Sequence, residues 1–139
     1  MHENTEKTTQ KILVADDEAH ILHIVTMKLN HAGYEIITAM DGEEALELAL
    51  AEKPDMVITD LQMPYMTGLE LCMRLRQNEQ TRDIPVLMLT ARGFDIEEHE
   101  MAAAGICDVI SKPFSPREVL RSVQHLLENN CAEQLTETT

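Results

Sequence analysis

Two apolar segments of this sequence end in acidic residues. Ile12–Ala15 is followed directly by Asp16 and Asp17, and Met56–Thr59 is followed by Asp60. Such short, strongly apolar segments are typical of strands that are buried on both faces of a parallel sheet. Because the carboxyl ends of parallel strands lie along one edge of the sheet, the three carboxylates are predicted to lie close together.

Two further apolar segments end in other polar groups at the same place. Val86–Leu89 is followed by Thr90, and Val109–Ile110 is followed by Ser111 and Lys112. The edge would therefore hold three carboxylates, a hydroxyl and an ammonium group. Such a set can hold a hard divalent cation together with a phosphoryl group.

The predicted chemistry of this edge is transfer of a phosphoryl group to Asp60. A carboxylate that attacks phosphorus forms an acyl phosphate, and the reaction needs mainly positioning and neutralisation of charge. Asp16 and Asp17 would hold Mg²⁺, which prefers oxygen ligands in octahedral geometry. Lys112 would pair with one phosphoryl oxygen, and Thr90 would donate its hydroxyl to another.

Each of these residues also has an ordinary structural interpretation when it is taken alone. An aspartate at a strand end is more often a turn or cap residue than a nucleophile, and Asp17 could simply cap the first helix. Thr90 could cap a loop, and Lys112 could be a solvated side chain. The convergence of five polar groups on one edge favours the functional interpretation.

The composition excludes several classes of function. The chain has 139 residues, of which 44% are hydrophobic, and this suits one globular domain with one core. A formal net charge of −14 argues against direct binding to nucleic acid or to anionic lipid. The sequence has neither an apolar stretch long enough to cross a membrane nor an apolar signal-peptide core near its N-terminus, so we expect a cytoplasmic protein.

Helical patterns alternate with the apolar segments along the chain. Helices are predicted at about residues 18–32, 41–52, 68–77, 95–105 and from 116 onward, with a further strand at residues 34–39. Ser115, Pro116 and Glu118 give the strongest start signal, since they supply an N-cap, a first helical proline and a capping-box glutamate.

This alternation predicts an α/β fold of (βα)5 type. The expected architecture is a flavodoxin-like, doubly wound parallel sheet of five strands in the order 2-1-3-4-5. The domain is predicted to span residues 11–130, between a flexible N-terminal tail at 1–10 and a C-terminal tail or start of a linker at 131–139.

The sequence resembles the receiver domain of two-component response regulators over about residues 10–130. The resemblance rests on four motifs in a specific order and spacing: Asp16-Asp17, Asp60 with Met63-Pro64 and Gly68, Leu89-Thr90-Ala91, and Lys112-Pro113-Phe114. It implies that Asp60 accepts a phosphoryl group, and that Thr90 and Lys112 contact that group. It also implies a cis peptide bond between Lys112 and Pro113.

The same resemblance implies a complete ligand set for Mg²⁺. Asp16, Asp17 and Asp60 would supply carboxylate oxygens, and Gln62 would supply its backbone carbonyl.

One residue departs from the family pattern. The switch position, three residues before the lysine, usually carries Tyr or Phe, but here it is Val109. The usual rotation of an aromatic ring therefore cannot occur, and we expect the loop after Thr90 and the fourth helix to carry the switch. The face around residues 95–125 is where members of the family usually meet their partners.

The implied partners are proteins. A histidine kinase or a histidine phosphotransfer protein would supply the phosphoryl group, and a downstream protein or a tethered effector domain would receive the signal. Phosphorylation-dependent dimerisation is a further expectation, whereas direct contacts with nucleic acid or membrane are not expected. The chain would not be an enzyme beyond self-catalysed phosphotransfer and autodephosphorylation.

Two other classes of function compete with this interpretation. A Mg²⁺-dependent phosphohydrolase with an aspartate nucleophile usually carries two acids at alternate positions after one strand, and it has a cap domain. In this sequence Asp16 and Asp17 are adjacent and follow a different strand from the one that ends in Asp60, and there is no room for a cap. A phosphorylation-independent scaffold would require an incomplete acidic cluster, and the cluster in this sequence is complete.

Overall fold

The computed structural model describes residues 9–91 and 96–129. Five parallel strands form one sheet in the order β2-β1-β3-β4-β5, which confirms the predicted topology. The elements in chain order are β1 Lys11–Ala15, α1 Ala19–His31, β2 Glu35–Ala39, α2 Gly42–Glu52, β3 Met56–Asp60, α3 Gly68–Arg76, β4 Val86–Thr90, α4 Glu98–Ala104, β5 Ile106–Ser111 and α5 Pro116–Asn129.

The sheet has helices on both faces because both faces of its central strands are apolar. Along β1, Leu13 and Ala15 face one core cluster, while Ile12 and Val14 face the other. The first cluster is covered by α2, α3 and α4, and the second by α1 and α5. Burial of both faces is what the uninterrupted apolar segments predict for a parallel sheet.

Several helices begin with the caps that their sequences encode. The Asp41 carboxylate accepts a hydrogen bond from the Glu44 backbone N–H at the start of α2, at 2.8 Å. At α5 the predicted capping box is present, since the Ser115 hydroxyl accepts from the Glu118 N–H and the Glu118 carboxylate accepts from the Ser115 N–H. A second capping box, between Thr67 and Glu70, opens α3 and was not foreseen from the sequence.

The predicted element bounds agree with the structure to within about two residues where they can be compared. The sequence suggests Asp95 or Glu98 as the start of α4; the helix begins at Glu98, and Asp95 lies outside the described residues. Gly105 ends α4 as predicted, in the left-handed conformation with φ 76°. Most of both predicted tails also lies outside the described residues, so the domain bounds stay a prediction.

The pairing of β4 with β5 contains one irregularity. Val86 pairs with Ile106 and Leu87 pairs with Asp108, so one residue of β5 is skipped. The register is regular again at the carboxyl end, where Thr90 pairs with Ser111. The bulge therefore leaves the functional edge of the sheet in register.

Within residues 9–91 and 96–129, no helix combines the length and the apolar character that a membrane span requires.

Candidate functional site

The polar residues predicted to do chemistry lie at the carboxyl edge of four neighbouring strands. Asp16 follows β1, Asp60 ends β3, Thr90 ends β4 and Lys112 follows β5. Backbone hydrogen bonds fix three of these positions: Asp16 N–H donates to the Ala39 carbonyl at 3.1 Å, and Lys112 N–H donates to the Thr90 carbonyl at 2.7 Å. The residue after Asp60, Leu61, donates to the Leu89 carbonyl at 2.9 Å.

Three carboxylates meet at this edge as the sequence predicts. One oxygen from each of Asp16, Asp17 and Asp60 lies within 4.8 Å of the other two. Asp16 is fully buried and Asp60 is 7% exposed, while Asp17 is open to solvent. Hard oxygen donors with an open side suit a cation such as Mg²⁺, which keeps several waters when it binds to protein.

Lys112 places a positive charge among the acidic groups. Its Nζ lies 3.2 Å from Asp16 Oδ2 and 3.4 Å from Asp60 Oδ1. It also lies 3.3 Å from Oε1 of Glu18, a contact that no motif of the sequence predicts. One ammonium group is thus shared by three carboxylates.

Burial and mutual repulsion change the proton affinities at the edge. Burial raises the pKa of Asp60 to about 6; the Asp16 charge adds to this, and Lys112 opposes it. Burial also raises the pKa of Asp16, against the lowering effects of the Glu18 N–H and of Lys112. For Lys112, burial acts to lower the pKa, but attraction to Asp16 and Asp60 outweighs it and the pKa is raised.

The start of α1 orients Asp16. The Glu18 N–H donates a hydrogen bond to Asp16 Oδ1 at 2.9 Å, while Asp16 Oδ2 faces Lys112. The N-cap residue of α1 is Glu18. The ordinary interpretation of Asp17 as a helix cap is therefore wrong, and its carboxylate belongs to the acidic cluster.

Thr90 carries an unsatisfied hydroxyl. The residue is fully buried, and its Oγ1 has no hydrogen-bond partner in the described part of the chain. Leaving a buried hydroxyl unpaired costs about 1–3 kcal/mol. Such a group at the carboxyl edge of β4 is suited to donate to an incoming oxygen ligand.

Gly68 lets the first turn of α3 approach the backbone of Asp60. A Cβ atom at this position would lie 2.3 Å from the Asp60 carbonyl oxygen. The Gly68 N–H donates to the Leu61 carbonyl at 2.7 Å, which ties the helix start to the end of β3. The sequence marks Gly68 only as part of a motif, whereas the structure shows a tight packing contact under Asp60.

The other predicted residues lie where their chain positions imply. The Lys112–Pro113 peptide bond is cis, as the resemblance led us to expect. Val109 is half-buried in β5, where it pairs with Met88. Gln62 is exposed two residues beyond β3, and the role of its carbonyl as a metal ligand stays a prediction.

Comparison with known proteins gives one consistent family. Residues 12–124 match the family model of the response regulator receiver domain. The alkaline phosphatase synthesis transcriptional regulatory protein PhoP of Bacillus subtilis is 43% identical over 121 residues, which cover 87% of this chain and 50% of that protein. The phosphate regulon transcriptional regulatory protein PhoB of Pseudomonas aeruginosa is 39% identical over 116 residues, covering 84% and 51% of the two chains. The chain thus spans about half the length of these curated relatives.

Solved structures agree with the sequence matches. The chemotaxis response regulator CheY4 of Vibrio cholerae superposes with a TM-score of 0.79 at 38% identity, covering 86% of this chain and 99% of that chain. The receiver domain of the sensor histidine kinase PA1611 of Pseudomonas aeruginosa superposes with a TM-score of 0.78 at 25% identity, covering 88% and 100%. That neighbour holds a magnesium ion coordinated in its active site cleft.

Proposed function

We propose, because this chain belongs to the response regulator receiver domain family, that it accepts a phosphoryl group on Asp60 and passes the signal to another protein. The observation that carries the proposal is the setting of Asp60. Its buried carboxylate lies within 4.8 Å of those of Asp16 and Asp17 and 3.4 Å from the Lys112 ammonium. An isolated surface carboxylate has neither the cation site nor the fixed positive charge that phosphoryl transfer needs.

The transfer step uses groups that the edge already holds. A carboxylate oxygen of Asp60 forms a bond to phosphorus while the bond from phosphorus to the donor breaks, and the electron pair of that bond stays with the donor. The donor is a phosphohistidine nitrogen of a kinase or of a phosphotransfer protein. Because the pKa of Asp60 is about 6, the carboxylate is mostly ionised at pH 7.5 and able to attack.

Lys112 and Thr90 would hold the transferred group. The Lys112 ammonium, which is now paired with Asp16 and Asp60, would pair with one phosphoryl oxygen. The buried Thr90 hydroxyl would donate to a second oxygen and so gain the partner that it lacks in the described residues.

Mg²⁺ is the proposed cofactor. Asp16, Asp17 and Asp60 would hold the ion through the carboxylates that meet at the edge, and the family resemblance adds the backbone carbonyl of Gln62. When bound, the cation neutralises charge on the phosphoryl oxygens. The magnesium ion in the cleft of the PA1611 receiver domain supports this assignment.

The output of the domain is proposed to be protein contact. A tethered effector domain fits the matched relatives, which are transcriptional regulators of whose length this chain covers about half. The receiver itself is not proposed to bind DNA, since its formal charge is −14. The switch would use the Thr90 loop and α4, because Val109 offers no aromatic ring to rotate. A phosphorylation-dependent dimer through the face of α4, β5 and α5 is part of the same proposal.

Intact mass after incubation with acetyl phosphate and Mg²⁺ tests the proposed function. The expected result is one added phosphoryl group on the wild type, none on Asp60→Asn, and none on the wild type in EDTA. Asp83→Asn, which makes the same change at an exposed loop residue, is the matched control and should be labelled normally. Labelling that survives Asp60→Asn would place the nucleophile elsewhere, and repeated turnover of a phosphomonoester would indicate a phosphohydrolase instead.

A further inference from the structure

We propose that Glu18 is a positioning residue for phosphotransfer, which holds the Lys112 ammonium at the edge while the other two carboxylates change partners. This inference rests on the proposed function of Asp60 and adds a residue that the family motifs do not include. Glu18 acts through Lys112 and is not expected to touch the phosphoryl group itself.

The contacts of Lys112 show why a third carboxylate is needed. Its Nζ lies 3.2 Å from Asp16, 3.3 Å from Glu18 and 3.4 Å from Asp60. Two of these partners would have other tasks during transfer, because Asp60 would form the new bond and Asp16 would hold the cation. Glu18 is the partner of Lys112 that has no other proposed task during transfer.

The local structure around Glu18 indicates that its side chain serves the contact with Lys112 and not the cap of α1. Glu18 is the N-cap residue of α1, yet its side chain makes no cap hydrogen bond to that helix. Glutamate is not among the residues preferred at this position, where Ser, Thr, Asp and Asn satisfy the free N–H groups. The carboxylate reaches across to the segment after β5, to a residue 94 positions away in the chain.

The solvent exposure of Glu18 and Lys112 fits the proposal that Glu18 holds the ammonium group in place. The Glu18 side chain is 50% exposed and that of Lys112 is 21% exposed, whereas Asp60 and Asp16 are buried. Glu18 therefore contacts the ammonium from the open side of the site, and the buried acids contact it from the closed side.

Glu18 and Lys112 also line an apolar groove of about 440 Å³, together with Ile21, Ile24 and Phe114. Without Glu18, the ammonium would be free to move outward into this open space.

Phosphorylation kinetics test the role of Glu18. Wild type, Glu18→Gln, Glu18→Asp and Glu18→Ala would be incubated with acetyl phosphate and Mg²⁺, and labelling would be followed by intact mass. Glu18→Ala and Glu18→Asp should be slower by about twofold to fivefold, the size expected for the loss of one half-exposed ion pair. Glu18→Gln keeps the reach and an oxygen acceptor for Lys112 but loses the charge, so its rate should lie between those of Glu18→Ala and the wild type.

A matched control and a double-variant cycle separate positioning from other effects. Glu52→Ala removes a comparable Lys–Glu pair, with Lys11 at 2.8 Å, far from the site, and should leave the rate unchanged. In a Lys112→Ala background, Glu18→Ala should cause no further slowing, because a residue that acts through Lys112 has nothing left to position. Circular dichroism at the assay temperature should show all variants folded.

Three results would overturn the inference. The first is a Glu18→Ala rate equal to or faster than that of the wild type. The second is a Glu18→Gln rate as slow as that of Glu18→Ala. The third is that Glu18→Ala slows labelling as much in the Lys112→Ala background as it does in the wild type. In each case a labelled wild type would leave the proposed function of Asp60 intact. An unlabelled wild type would instead refute the proposed function itself.

Discussion

Replacing Asp60 with Asn is expected to stabilise the protein when no divalent cation is present. The buried carboxylate faces the Asp16 charge, and one ammonium group offsets both only in part. An amide of nearly the same shape removes the buried charge and its repulsion. The free energy of unfolding at pH 7.5 in EDTA should therefore be higher for Asp60→Asn than for the wild type.

The pKa of Asp60 sets the size of the effect. Its rise from 3.8 to about 6 means that ionising this group costs more in the folded than in the unfolded state. At 1.36 kcal/mol per pKa unit the difference is about 3 kcal/mol well above pH 6. We expect about 2–3 kcal/mol in practice, since the open side of the site admits solvent.

The pH dependence follows from the direction of the shift. A folded-state pKa above the unfolded value means that the folded state binds the proton more tightly, so the wild type loses stability as the pH rises through about 4 to 6. The advantage of Asp60→Asn should therefore shrink to about 1 kcal/mol at pH 4.5. It should also shrink when saturating Mg²⁺ is added at pH 7.5, because the cation stabilises the wild type more strongly than a variant that has lost a ligand.

Urea unfolding followed by circular dichroism measures these differences. Asp83→Asn should stay within about 0.5 kcal/mol of the wild type under all conditions, because Asp83 is exposed. If the wild type in EDTA at pH 7.5 proved as stable as Asp60→Asn or more stable, the picture of a repulsive acidic edge would be wrong. An advantage of the variant that did not depend on pH would point to packing and not to charge.

Three smaller predictions concern the elements that support the site. Gly68→Ala should lower the free energy of unfolding by about 1–3 kcal/mol and slow the labelling of Asp60, because the new Cβ would lie 2.3 Å from the Asp60 carbonyl oxygen; urea unfolding and intact mass check both. Ser115→Ala should cost about 1 kcal/mol in urea unfolding through loss of the α5 cap, and an unchanged midpoint would contradict this. Tyr65→Asn should stabilise the protein by about 0.5–1 kcal/mol, because Tyr65 has φ 71° and is 81% exposed; a lower thermal midpoint would refute the idea that this backbone is strained.

The fold was predictable because its signals are local and repeated. Uninterrupted apolar segments mark parallel strands, and the capping residues at Asp41 and Ser115 mark helix starts. The strand order then follows from the handedness of the connections and from the position of the acids. The bulge in β5 was not predictable, since nothing in residues 106–108 distinguishes a skipped residue from a paired one.

The site was predictable in its members but not in its contacts. Asp16, Asp60 and Lys112 could be assigned because strand ends determine their places. The contact between Glu18 and Lys112 depends on the direction of a side chain at a helix start, and the sequence showed Glu18 only as the first residue of a helical pattern. The close approach of Gly68 to Asp60 is likewise a tertiary contact between two elements.

Two unfavourable features of the edge would be relieved by the same event. In the described residues the Asp60 carboxylate is held near Asp16 with a pKa raised to about 6, and the Thr90 hydroxyl is buried without a partner. Under the proposed function, a bound cation would offset the repulsion between Asp60 and Asp16. A phosphoryl oxygen would accept a hydrogen bond from the Thr90 hydroxyl. Under the proposed switch, Thr90 would move toward the phosphorylated Asp60, and phosphorylation would then favour that arrangement over the one described here. A switch of this kind needs no aromatic ring at Val109, because the coupling begins at the hydroxyl of β4.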